Sequence, residues 1–126
     1  MLSLLSIFSG AGLGALLRWY IGARLNPVFP TLPIGTLTAN LLGGFLIGLA
    51  ITWFARHPTV PPELRLMVVT GFLGGLTTFS TFSAEVVNLL MRGEYLWGLG
   101  AIAAHLTGSL SMTAVGIVLA QLLMRT

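Results

Sequence analysis

Residues Gly71–Ser83 read GFLGGLTTFSTFS, and the architecture turns on how this stretch is understood. It lies inside an apolar run, Leu66 to Leu90, that is long enough to cross a membrane and is interrupted by a single charge, Glu85. Within it, Thr77, Thr78, Ser80, Thr81 and Ser83 bring five hydroxyls, and Phe79 and Phe82 bring two phenyl rings. There is no charge and no metal-ligand cluster in the stretch. On a helix, Phe79 and Phe82 share one face and Ser80 and Ser83 a neighbouring one. Gly71, Gly74 and Gly75 lower helix propensity just before them, which predicts a local break between Gly74 and Phe79. Backbone groups freed there must bind a neighbour, water or an ion, because hydrocarbon offers them nothing.

The rest of the chain sets this stretch in a membrane. The 126 residues are 56% hydrophobic and 7% charged, with a mean hydropathy of +0.96. Soluble domains carry about 25% charged residues, so this chain could not clothe its own surface in water. Proline and polar punctuation divides it into four runs, approximately 2–24, 34–55, 66–90 and 96–124, each meeting the ~20 residues a bilayer requires. RLNPVFPTLP, RHPTVPPE and MRGEY form the connections. The expectation is an all-α membrane protein, one domain over 1–126, with four transmembrane helices and a break in the third. Alternating ten-residue strands, the mark of a barrel, are absent. The first run has no basic residue ahead of it and reads as a mature span rather than a signal peptide. Without cysteine there is no disulfide framework.

The net charge of +3 comes from six arginines spread singly and three glutamates. A nucleic-acid surface would need a clustered basic stripe. With four spans, Arg56, Arg65 and Arg125 fall on one side of the membrane and Arg18, Arg24 and Arg92 on the other, three against three. The positive-inside rule therefore assigns no orientation. A chain free to insert both ways can pair with an inverted copy, so an antiparallel, dual-topology homodimer is expected.

The remaining intramembrane polar residues have two readings each. Asn40 can glue helices together or donate to a permeating anion. Phenyl rings pack, but a ring edge is electropositive, and with hydroxyl donors it offers an anion weak, distributed contacts of the kind conduction needs. Glu85 is expected near an interface, paired with an arginine such as Arg65 or Arg92, with a proton-coupled role as the other reading. His105 reads as a hydrogen-bonded packing residue. Ser109, Ser111 and Thr113 either extend a polar track or bond back to their own helix. No catalytic constellation appears, and no enzyme activity is expected.

Three segments carry a family resemblance. GAGLGALLRWYIG (10–22), PIGTLTANLLGGFLIG (33–48) and TGFLGGLTTFSTFS (70–83) resemble the span signatures of the Fluc fluoride channels, also called CrcB proteins. The resemblance implies a passive, fluoride-selective channel in the bacterial cytoplasmic (inner) membrane. It implies two fluoride pores per antiparallel homodimer and a structural Na+ at the dimer interface. By this resemblance Phe79 and Phe82 would meet fluoride through their ring edges, and Asn40 would line the pore and donate to it. Ser80, Thr81 and Ser83 would form a hydroxyl track. The backbone carbonyls of Gly74 and Thr77 would hold sodium, and Arg18 would stand at the aqueous vestibule. Two features depart from the family pattern: Gly44 where Ser is frequent, and a fourth span more polar than expected. The competing expectation is a proton-coupled small multidrug-type transporter using Glu85, although that class places its acidic residue in the first span.

Overall fold

The computed structural model describes residues 1–125 and is helical throughout. Helix α1 spans Leu2–Leu25 and α2 spans Ile34–Arg56. Helix α3 covers 62–76, α4 is Phe79–Met91 and α5 is Tyr95–Leu123. Four stretches are long and apolar enough to cross a membrane: Leu2–Val28, Ile34–Arg56, Pro62–Met91 and Tyr95–Leu123. The chain is thus a multi-pass membrane protein, its third stretch being α3 and α4 together.

The connections follow from their residues. After α1, a turn of 3-10 helix, Asn26–Val28, contains Pro27. The Asn26 carboxamide oxygen accepts the Thr36 N–H at 3.1 Å, which caps the start of α2 from the loop. Pro62 opens α3 at a position where its missing N–H costs nothing. Between α4 and α5 the chain reverses at Gly93, the one residue with a positive φ (+77°) among those described.

Packing is governed by glycine, as expected where lipid removes the hydrophobic drive between helices. Helix α1 lies along α3 and α2 along α5. A Cβ on Gly10 would overlap the Met67 carbonyl, and one on Gly14 the Phe72 carbonyl. Reciprocally, Gly71 faces the Ile7 carbonyl, and a Cβ on Gly75 would overlap that of Ala11. Two four-residue small-residue steps, Gly10–Gly14 and Gly71–Gly75, therefore mesh backbone to backbone. Gly48 and Gly116 do the same for α2 and α5, against the carbonyls of Thr113 and Phe45. Between these seams Ala39, Leu73 and Leu76 form a buried core with Leu17, Ile21 and Leu42 against it. A second core joins Val86, Leu89 and Ala101.

Helix α3 is wound widely. Over Leu66–Leu73 it is π-helical, and the Gly74 N–H reaches back to the Val69 carbonyl. One ordinary turn, Gly74–Leu76, follows. Thr77 (φ −90°, ψ 157°) and Thr78 (φ −150°, ψ 116°) are then extended, and α4 begins at Phe79.

Candidate functional site

The two extended threonines are where the polar side chains of the interior converge. Thr77 bonds backwards: its N–H and its Oγ1 both donate to the Leu73 carbonyl, at 3.1 and 2.9 Å. Thr78 is held from outside its own span. Its N–H donates to Asn40 Oδ1 at 2.8 Å, and its carbonyl accepts from Asn40 Nδ2 at 3.1 Å. Asn40 sits on α2, so one carboxamide does for Thr78 what a neighbouring strand does in a sheet. The Thr78 hydroxyl then accepts the Thr81 N–H at 3.1 Å and caps α4.

Those bonds fix the Asn40 amide, since its oxygen must face an N–H and its nitrogen a carbonyl. The second Nδ2 hydrogen points to His105 Nδ1, 3.1 Å away on α5. Nδ1 must accept, so the neutral imidazole carries its proton on Nε2. That Nε2 is buried and has no hydrogen-bond partner among the described residues. Phe82 covers the imidazole, ring centroids 4.4 Å apart, and Phe79 meets Phe82 edge-on at 5.6 Å.

These residues line an open, largely apolar groove of about 750 Å³ between α2, α4 and α5. Asn40, Gly74, Thr77, Phe79, Phe82 and Ser83 all contribute to its wall, together with His105 and Ser109. Phe79 is 80% exposed in the single chain. Ser80 and Thr81 are not part of the wall; the Ser80 hydroxyl lies 3.3 Å from that of Thr78. Arg18 approaches the same region from α1, its Nε donating to the Gly75 carbonyl at 2.9 Å.

The backbone of this region has unfilled valences. The carbonyls of Leu73, Gly75 and Thr78 are taken by Thr77, Arg18 and Asn40 respectively. Among the described residues, no side chain donates to those of Gly74 and Thr77, and the N–H groups four residues on, of Thr78 and Thr81, are turned instead to Asn40 Oδ1 and Thr78 Oγ1. Two carbonyl oxygens deprived of their usual helical donors at a helix C-terminus, where the macrodipole is negative, suit a small hard cation such as Na+.

One sequence expectation changes, and two open readings narrow. Glu85 does not pair with an arginine: it accepts a hydrogen bond from Thr36 Oγ1 at 2.6 Å. Arg92 pairs instead with Glu94 at 3.4 Å, and Arg65 stacks over the Phe54 ring. Of the two readings of Thr113, the bond back to its own helix holds: its hydroxyl donates to the Ser109 carbonyl, and it also lies 3.0 Å from that of Gly44 on α2. Asn40 is not a free donor, because both its N–H groups are engaged. The Asn40–Thr78–His105 connection was missed, since three residues 38 and 65 positions apart give no local signal.

Comparison with known proteins accounts for the pattern. A family profile described as CrcB-like protein, Camphor Resistance (CrcB), matches residues 5–117. A protein of Tolumonas auensis named Fluoride-specific ion channel FluC is 60% identical over 124 residues, covering 98% of both chains. One of Nitrosospira multiformis bearing the same name is 63% identical over 115 residues, covering 91% of this chain and 90% of its own. A third, from Pseudomonas putida, is 60% identical over 115 residues, or 91% of each chain. Such similarity, running through all four spans, does not favour a multidrug-type transporter, and its class of ion channels is not a class of enzymes. The chain belongs to the CrcB family.

Proposed function

We propose that this protein is a fluoride-selective channel that passively releases fluoride from the bacterial cytoplasm across the inner membrane. The observation that carries the reading is the groove wall. It sets the Phe79 and Phe82 rings edge to face beside a buried imidazole and a clamped carboxamide, with no lysine or arginine among its lining residues. A fixed cation would hold a small anion too firmly to let it leave; ring edges and hydroxyls stabilise it without trapping it. The names of the relatives point to fluoride among the small anions. Acid outside the cell forms HF, which crosses lipid and dissociates in a more alkaline cytoplasm, and the membrane potential then drives the trapped anion out through a leak.

The groove is open along one side, and Phe79 leaves most of its ring uncovered. A second, inverted copy of the chain would close it, giving an antiparallel dual-topology homodimer with two pores. The balance of arginines, three on each side, supports that arrangement. Phe79, Phe82 and Ser83 line the path, with Ser80 and Thr81 on the adjoining helix face. Asn40 meets the ion only where it releases Thr78 or His105. The carbonyls of Gly74 and Thr77, from each copy, hold a structural sodium ion, which neutralises the two helix ends that face each other.

Efflux from liposomes containing only the purified protein tests the reading, with fluoride inside one set, chloride inside another, and potassium with valinomycin to cancel the voltage. Rapid fluoride loss with retained chloride is expected. No fluoride loss from folded dimer in sodium overturns the proposal.

A further inference from the structure

We propose that Arg18 is a positioning residue for the cation site, fixing which carbonyls at the end of α3 stay available. The inference rests on the sodium reading above. The resemblance places this arginine at an aqueous vestibule, where its charge alone would matter. In the structure its side chain is half-buried, and Nε–H donates to the Gly75 carbonyl at 2.9 Å. Gly75 lies at the middle of the final turn, Gly74–Leu76, and its own lack of a side chain lets α1 press against it at Ala11 and Ala15. Arg18 lies one helical turn beyond Gly14, whose Cβ would overlap the Phe72 carbonyl. The guanidinium is therefore brought to the helix end by the same glycine seam that holds α1 to α3.

The consequence is a division of labour among consecutive carbonyls. Leu73 is occupied by Thr77, Gly75 by Arg18 and Thr78 by Asn40. Gly74 and Thr77 remain. With the Gly75 oxygen released, the last turn of α3 loses its external tether and these two oxygens lose their fixed relation. A guanidinium makes this bond with a planar, pre-organised fork; an ammonium keeps the charge but is a point donor on a flexible stem. Arg18→Lys thus separates a tethering role from a purely electrostatic one.

The test is thermal unfolding of the purified protein in detergent across a sodium chloride titration, N-methylglucamine chloride holding ionic strength constant. The wild-type midpoint rises with sodium and saturates. Arg18→Lys needs about tenfold more sodium for half of that rise, the equivalent of one lost charged hydrogen bond. An arginine with only a structural role would lower the midpoint equally at every sodium concentration and leave the half-point unchanged; that result overturns the inference. If Arg18→Lys does not fold, Arg18→Gln is judged by the same half-point. A wild type indifferent to sodium overturns the sodium reading itself, a different failure.

Discussion

Gly43 is empty where Thr77 is full: a Cβ built on Gly43 would overlap the Thr77 methyl group. The extended threonine thus has a socket on α2, one turn beyond the Asn40 carboxamide that holds its neighbour. Gly43→Ala would push against a residue pinned by two bonds to Leu73. Overpacking of this kind costs ~1–3 kcal/mol, and a lower unfolding midpoint in detergent is the expected result. Gly12→Ala is the internal control. Nothing lies within 4 Å of its Cβ position, so the change should be neutral or stabilising by up to ~1 kcal/mol.

Asn40 is expected to respond asymmetrically to substitution. Asn40→Ala leaves the Thr78 N–H without its partner and should cost ~1–3 kcal/mol for that buried group left unsatisfied. Asn40→Asp keeps the acceptor for the N–H but sets a carboxylate against the Thr78 carbonyl and His105 Nδ1. It should therefore be no more stable than the alanine variant unless protonated, so acidification should rescue Asp and not Ala. Unfolding curves at two pH values distinguish them.

Replacing the rings tests the pathway rather than the fold. Phe79 is exposed in the single chain, so Phe79→Ile should change monomer packing little. If its edge meets fluoride, efflux should fall at least about tenfold, as the loss of ~1.4 kcal/mol of ion stabilisation predicts. Phe82→Ile, which also uncovers His105, should lose as much or more. Unchanged fluoride efflux in both would remove the rings from the mechanism.

Glu85→Gln preserves an oxygen that can accept the Thr36 hydroxyl, and so preserves the contact between α2 and α4. Fluoride efflux should stay within about threefold of wild type, roughly 0.7 kcal/mol. A transporter that moves protons on this carboxyl would stop altogether.

Much of this molecule can be read from composition. The four apolar runs follow from hydropathy, and the glycine spacings on α1 and α3 do mark where backbones touch. What could not be read is which polar group meets which. Glu85 lies five residues beyond Ser80 and suggests an arginine because carboxylates in membranes need partners; a threonine hydroxyl 49 residues away answers the same need. The wide turns of Leu66–Leu73 likewise have no specific signature: Gly71 and the β-branched Val68, Val69 and Thr70 weaken a helix without saying that it will widen. Asn40 was legible as important and illegible in its manner, since an amide alone does not say whether it will grip an ion or a peptide bond.

The extended pair Thr77–Thr78 carries a consequence for how the chain is made. Its bonds to the rest of the protein come from Asn40 on α2 and, beside it, from Arg18 on α1, so neither is available to the third span alone. A newly inserted segment surrounded by lipid must satisfy its backbone internally. Residues 62–91 on their own in lipid are therefore expected to form one unbroken helix, the interruption requiring the first two helices to dock and exchange their side chains for its backbone bonds. On this account the polar interior belongs to the assembled bundle and to no single span.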